Sequence, residues 1–97
     1  MKTLGLKATL IAKPETAKEV ASFIKNAVEL AKKENKTITW YSFQVNETTF
    51  GIFDTFETEE GREAHLNGEI AQALMANAER LLAEPPVIEK INILSSK

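Results

Sequence analysis

The chain has 97 residues, enough for one domain, with 43% hydrophobic and 27% charged residues and a net charge of −2. That balance offers no basic face for a nucleic-acid backbone, and no stretch approaches the roughly 20 apolar residues of a membrane-spanning helix. The absence of cysteine removes disulfides, thiolate metal sites and cysteine nucleophiles together.

Lack of cysteine fits a reducing compartment. The opening segment, Met1 to Leu10, carries no apolar run of signal-peptide length. The expectation is a soluble cytoplasmic protein. A single domain of this size buries only about 60–65% of its unfolded surface, so its core must be thin.

In chain order, Leu4 to Ala12 is apolar at most positions and ends at Lys13-Pro14, which predicts a first strand. Thr16-Ala17-Lys18-Glu19 has the spacing of a capping box, with the threonine oxygen and the glutamate each satisfying a backbone N–H. Val20, Phe23, Ile24, Ala27, Leu30 and Ala31 then recur at three- and four-residue spacing, the stripe of an amphipathic helix. Asn35 is the expected left-handed stop.

Thr37 to Val45 is rich in β-branched and aromatic residues. The short polar Asn46-Glu47-Thr48 predicts a hairpin into Phe50 to Phe56. Thr58 is placed to cap a second helix, with Glu59 and Glu60 in its first turn, where the helix dipole favours acids. Asn67-Gly68 should break or bend that helix. Ile70, Ala73, Leu74, Ala78 and Leu81 continue its stripe until Pro85-Pro86, and Val87 to Leu94 closes the chain as a strand.

The order β-α-β-β-α-β over residues 1–97 predicts a single ferredoxin-like α+β domain: a four-stranded antiparallel sheet with both helices on one face. The strands are apolar on both faces, however. Trp40 alternates with Tyr41 and Phe43, and Phe50, Ile52 and Phe56 alternate with Phe53. Two helices cover one face only, and monomers rarely expose an apolar patch above a few hundred Å². A homodimer packed sheet against sheet across a twofold axis is therefore expected.

Chemistry is harder to read. His65 is the only histidine. Near a helix break it could bind or deprotonate a phenolic oxygen, or simply bond a nearby carbonyl. Asp54 stands in an apolar strand and needs a partner, for which Arg62 is the candidate. Trp40 and Tyr41 must point to opposite faces. Gly51 allows something to approach its strand closely. The four glycines never form a phosphate loop, and one histidine without cysteine is a poor basis for a metal site. Any catalysis should run without cofactor or metal.

The run Thr49-Phe50-Gly51-Ile52-Phe53-Asp54-Thr55-Phe56, followed by Gly61-Arg62-Glu63-Ala64-His65-Leu66-Asn67-Gly68, resembles the antibiotic biosynthesis monooxygenase domain family. So do Lys13-Pro14, Thr37-Ile38-Thr39-Trp40 and Leu81-Leu82-Ala83-Glu84-Pro85-Pro86. The resemblance implies a protomer that pairs into a dimeric α+β barrel. It also implies oxidation of phenols or quinols by molecular oxygen without metal or flavin. His65 would be catalytic, and Trp40, Phe53, Asp54 and Arg62 would line the substrate pocket. Phe56 stands where many members have tryptophan. The second-helix histidine of the haem-degrading branch is missing around Ala76, so haem is not the expected substrate. The leading expectation is a cofactor-independent monooxygenase acting on a hydroquinone. The alternative is a non-catalytic small-molecule-binding or stress-response dimer with the same pocket.

Overall fold

The computed structural model describes residues 3–97; Met1 and Lys2, counted above in the leaderless opening segment, lie outside the described residues. Strand β1 (Leu4–Ile11) leads through a 3-10 turn (Pro14–Thr16) into α1 (Ala17–Asn26) and the short α2 (Val28–Ala31). The hairpin β2 (Thr37–Gln44) and β3 (Thr49–Phe56) follows, then α3 (Glu59–Leu66), α4 (Glu69–Leu81) and β4 (Val87–Asn92). The sheet order is β2-β3-β1-β4, antiparallel throughout. This is the expected ferredoxin-like α+β arrangement.

Strand register fixes what each face carries. Pairing Leu6 with Asp54 and Trp40 with Asp54 puts all three on the helix-covered face. Leu10, Phe50 and Phe56 are fully enclosed there, packed with Val20 and Ile24 of α1 and with Leu74, Ala78 and Leu81 of α4. The hydrophobic stripes read from the sequence are the ones buried. No helix is long and apolar enough to cross a membrane among the described residues.

Three local expectations need correction. Thr16 does not form a capping box: its side chain caps no helical N–H. Its hydroxyl instead donates to Leu81 O at 2.6 Å, and Glu19 pairs with Arg80 at 2.7 Å. A carbonyl at the end of α4 is itself short of a partner, so it competes for the threonine hydroxyl. The first helix is not continuous but tightens at Ala27, where Leu30 N donates to Ala27 O three residues back. Asn35 is not left-handed, since no described non-glycine residue has positive φ. The helix stops instead through the three-residue bonds Lys33 N to Leu30 O and Glu34 N to Ala31 O.

Other signals hold. Thr58 Oγ1 accepts from Gly61 N at 3.0 Å, and α3 ends at Asn67-Gly68. Asn46 Oδ1 accepts from the backbone N–H of Thr48 and Thr49 at 3.0 and 2.9 Å, which closes the hairpin.

The other face of the sheet is open. Tyr41 is 56% exposed, and Phe43, Val45 and Val87 are exposed beside it. Here the glycines matter for space rather than conformation. A Cβ on Gly51 would lie 2.2 Å from the Phe43 ring, and one on Gly5 would lie 3.2 Å from the Phe53 ring. Each ring therefore lies flat across the neighbouring strand's glycine. The open face becomes a smooth aromatic plate.

Candidate functional site

Along α3 and into α4, Gly61, Ala64, His65 and Gly68 fall at spacings of three, four and seven residues, so they share one helical face. That face is small everywhere except at His65, and it lies against the turn formed by residues 33–37. A Cβ on Gly61 would meet Lys36 Cβ at 3.1 Å, and one on Gly68 would meet Glu34 Oε2 at 3.3 Å. The glycines thus bring the turn close. The missing side chains leave a cleft of about 380 Å³, lined also by Leu30, Lys33, Glu34, Lys36, Thr37 and Glu69.

His65 forms the inner wall of this cleft and is held between two carboxylates. Its Nδ1 donates to Glu34 Oε1 at 2.5 Å, and Thr37 Oγ1 donates to the same oxygen at 2.7 Å. On the other side Nε2 stands 2.8 Å from Asp54 Oδ2. That contact is ionic rather than a directed hydrogen bond, and neither Asp54 oxygen has a hydrogen-bond partner. Exposure falls inward along the three side chains, from 21% at Glu34 to 9% at His65 and 1% at Asp54. The Phe56 ring packs against the imidazole, centroids 5.4 Å apart.

Behind His65 lies a second cavity of about 40 Å³, room for a water-sized molecule. Leu6, Ala8, Ile52, Ile70 and Leu74 wall it, so Asp54 faces an almost wholly apolar space. Burial pushes the Asp54 carboxyl above its ordinary range, opposed by His65 and reinforced by the like charge of Glu34. For His65, burial alone would disfavour the imidazolium. Asp54, and after it Glu34, outweigh that, and its pKa is raised. The ring is thus biased toward the doubly protonated form, which serves both carboxylates.

The residues anticipated from sequence separate into groups. His65 and Asp54 meet. Trp40 shares their face of the sheet, but its ring packs beside Ala27, Ala31 and Ile70, and it does not line the cleft. Phe53 points to the opposite face of the sheet. The expected Asp54–Arg62 pair does not form. Arg62 binds Glu59 and donates to the carbonyl oxygens of Gly5 and Ile91 at 3.3 and 3.4 Å, which ties α3 to the sheet. His65 occupies the place beside Asp54 that the sequence reading gave to arginine. Glu34 was missed, because a charged residue in a lysine-rich turn carries no local sign of a partner 31 positions later. Both ring nitrogens of His65 face carboxylates, and no group of described residues is disposed to hold a metal ion.

An α+β protomer with an imidazole clamped between carboxylates beside a helix-walled cleft has the fold of proteins named antibiotic biosynthesis monooxygenases. One such protein superimposes with a TM-score of 0.81 at 15% identity over 95% of this chain and 99% of its own. A Nitrosomonas europaea protein named as a candidate monooxygenase of this kind gives 0.84 at 14% identity, over 95% and 99%. At such identities the likeness is one of fold. A third structure, NE2512 from Nitrosomonas europaea, a protein of unknown function, is 47% identical, with a TM-score of 0.97 over 100% of this chain and 94% of its own. The chain belongs to the family of NE2512. No family model matches the sequence, and no curated protein matches it.

Proposed function

We propose that the protein is a cofactor-independent monooxygenase that oxidises a small electron-rich aromatic, such as a hydroquinone, in the cleft beside His65. The observation that supports this most is the Glu34–His65–Asp54 clamp at the wall of a cleft of about 380 Å³, within the size range of small-molecule sites. Leu30 and Ala64 offer apolar surface for a ring, and the Glu34–His65 pair stands where a ring hydroxyl would lose its proton. Lys33 and Lys36, on the rim, favour the resulting phenolate.

The reaction balances without a further reductant. A hydroquinone with a free ring position and dioxygen give a hydroxylated quinone and water. One oxygen atom forms the new C–O bond, the O–O bond breaks, and the other oxygen leaves as water. The substrate supplies all four electrons.

Oxygen uptake with a panel of hydroquinones tests this. Wild type should exceed the autoxidation background, and His65→Ala should lose roughly 10²-fold in rate, the scale of a lost acid–base group. Binding without uptake would favour the non-catalytic reading, and wild-type rates in His65→Ala would remove His65 from the mechanism.

The same reading makes the protein a homodimer joined through the open sheet face. Tyr41, Phe43, Val45 and Val87 are exposed together there, and a monomer has no use for a flat aromatic plate. Light scattering should give twice the chain mass, and Phe43→Asp, which places a charge at the seam, should give the single-chain mass with unchanged circular dichroism. A wild-type monomer at micromolar concentration would overturn the pairing.

A further inference from the structure

We propose that Glu34, His65 and Asp54 form a closed proton circuit, in which Asp54 is an internal store for the proton taken from a hydroxyl in the cleft. The circuit rests on the monooxygenase reading for its substrate, but the store is a property of the protein alone. A carboxylate, an imidazole and a carboxylate stand in series at 2.5 and 2.8 Å, running from the cleft to the sheet. A proton arriving on Glu34 passes to Nδ1 as the Nε2 proton moves to Asp54, with no movement of heavy atoms.

The direction follows from the surroundings. Glu34 is fixed by Thr37 and opens on the cleft, whereas Asp54 is 1% exposed with oxygens that no donor satisfies. Its only free space is the apolar cavity of about 40 Å³. A neutral carboxyl is far cheaper than a carboxylate against such a wall. The inner cavity is too small for an aromatic ring, and its role is to keep the proton affinity of Asp54 high.

The oxygenation needs such a store. The hydroxyl proton must leave before the ring gives up electrons, and a proton is required again when the distal oxygen departs as water. Sent back through His65 and Glu34, the stored proton completes that water. The groups facing His65 are Asp54 from β3 and Glu34 from the 33–37 turn. Lys33, Lys36 and Glu69 complete the charged lining of the cleft.

The test has two arms. The first follows the ligand-free protein by infrared spectroscopy on acidification from neutral pH. A buried protonated-carboxyl band should appear at a pH above the ordinary aspartate range, vanish in Asp54→Asn, and persist in Glu34→Gln. A band that survives Asp54→Asn, or that appears only within the ordinary range, overturns the store. The second arm measures hydroquinone turnover. Glu34→Gln keeps an acceptor for Nδ1 but cannot take the proton, and should lower kcat by roughly 10²-fold with KM changed by less than about threefold. Acetate, small enough for the open cleft, should restore part of the loss. Wild-type kcat in Glu34→Gln overturns the circuit. If wild type itself shows no uptake, the monooxygenase reading falls, and the infrared arm alone decides the store.

Discussion

His65→Leu should cost about 3–5 kcal/mol of folding stability at neutral pH, the usual penalty for stranding one member of a buried ion pair. Leucine fills a similar volume, so the loss comes from Asp54, left 1% exposed with no cation beside it. The pH dependence identifies the cause. In the variant Asp54 has only burial acting on it, so its folded pKa lies above its unfolded value. More protons are then bound to the native state, and stability falls as pH rises from about 4, levelling once the folded pKa is passed. Wild type should show the complementary signature of a raised histidine. The stability that His65 contributes is fully present below its ordinary pKa of 6.5 and is lost as pH rises through the raised folded value. Urea denaturation across this range, on wild type, His65→Leu and the double variant Asp54→Asn/His65→Leu, checks both. The double variant should recover most of the loss. Equal destabilisation of single and double variants would mean that packing, not charge, sets the cost.

The second large effect is expected from Phe56→Ala, again about 3–5 kcal/mol. Phe56 is fully buried at the end of β3 and stacks obliquely on the His65 ring. Its truncation opens a cavity beside the clamp as well as in the core. Phe56→Leu, which keeps much of the volume, should cost markedly less. Denaturant midpoints decide this, and His65 ring resonances should broaden in Phe56→Ala as the ring gains freedom. Equal losses in the two variants would show that aromaticity, not volume, is what the position requires.

Periodicity made the fold legible because burial of whole stripes dominates its energetics. The four strands, both helical stripes, the Thr58 cap and the Asn67-Gly68 break all rest on local chemistry that a sequence displays. Failures occur where a group found a better partner far along the chain. Thr16 had a capping position available and used its hydroxyl on Leu81 instead. Arg62 had Asp54 within plausible reach, yet Glu59 on its own helix and the carbonyl oxygens of two strands took its donors. Half of the site was readable for the same reason. His65 and Asp54 draw attention as the lone histidine and the lone acid in an apolar strand. Glu34 is one acid among 14 acidic residues, and only the close approach permitted by Gly61 and Gly68 makes it distinct. Whether Phe53 shares a face with Trp40 depended on strand register. The pairing of Trp40 with Asp54 fixed the two aromatics on opposite sides.

The rings laid over glycines on the open face bear on how this surface can change over generations. Any side chain at position 51 would collide with the ring at 43, and a smaller residue at 43 would uncover the backbone at 51. Positions 51 and 43, and less strictly 5 and 53, are therefore inherited as pairs. Drift at one member alone is penalised, and the surface is free to diversify only through double replacements. A lineage that kept this plate while its helical face acquired new chemistry would show four quiet positions in an otherwise variable sheet.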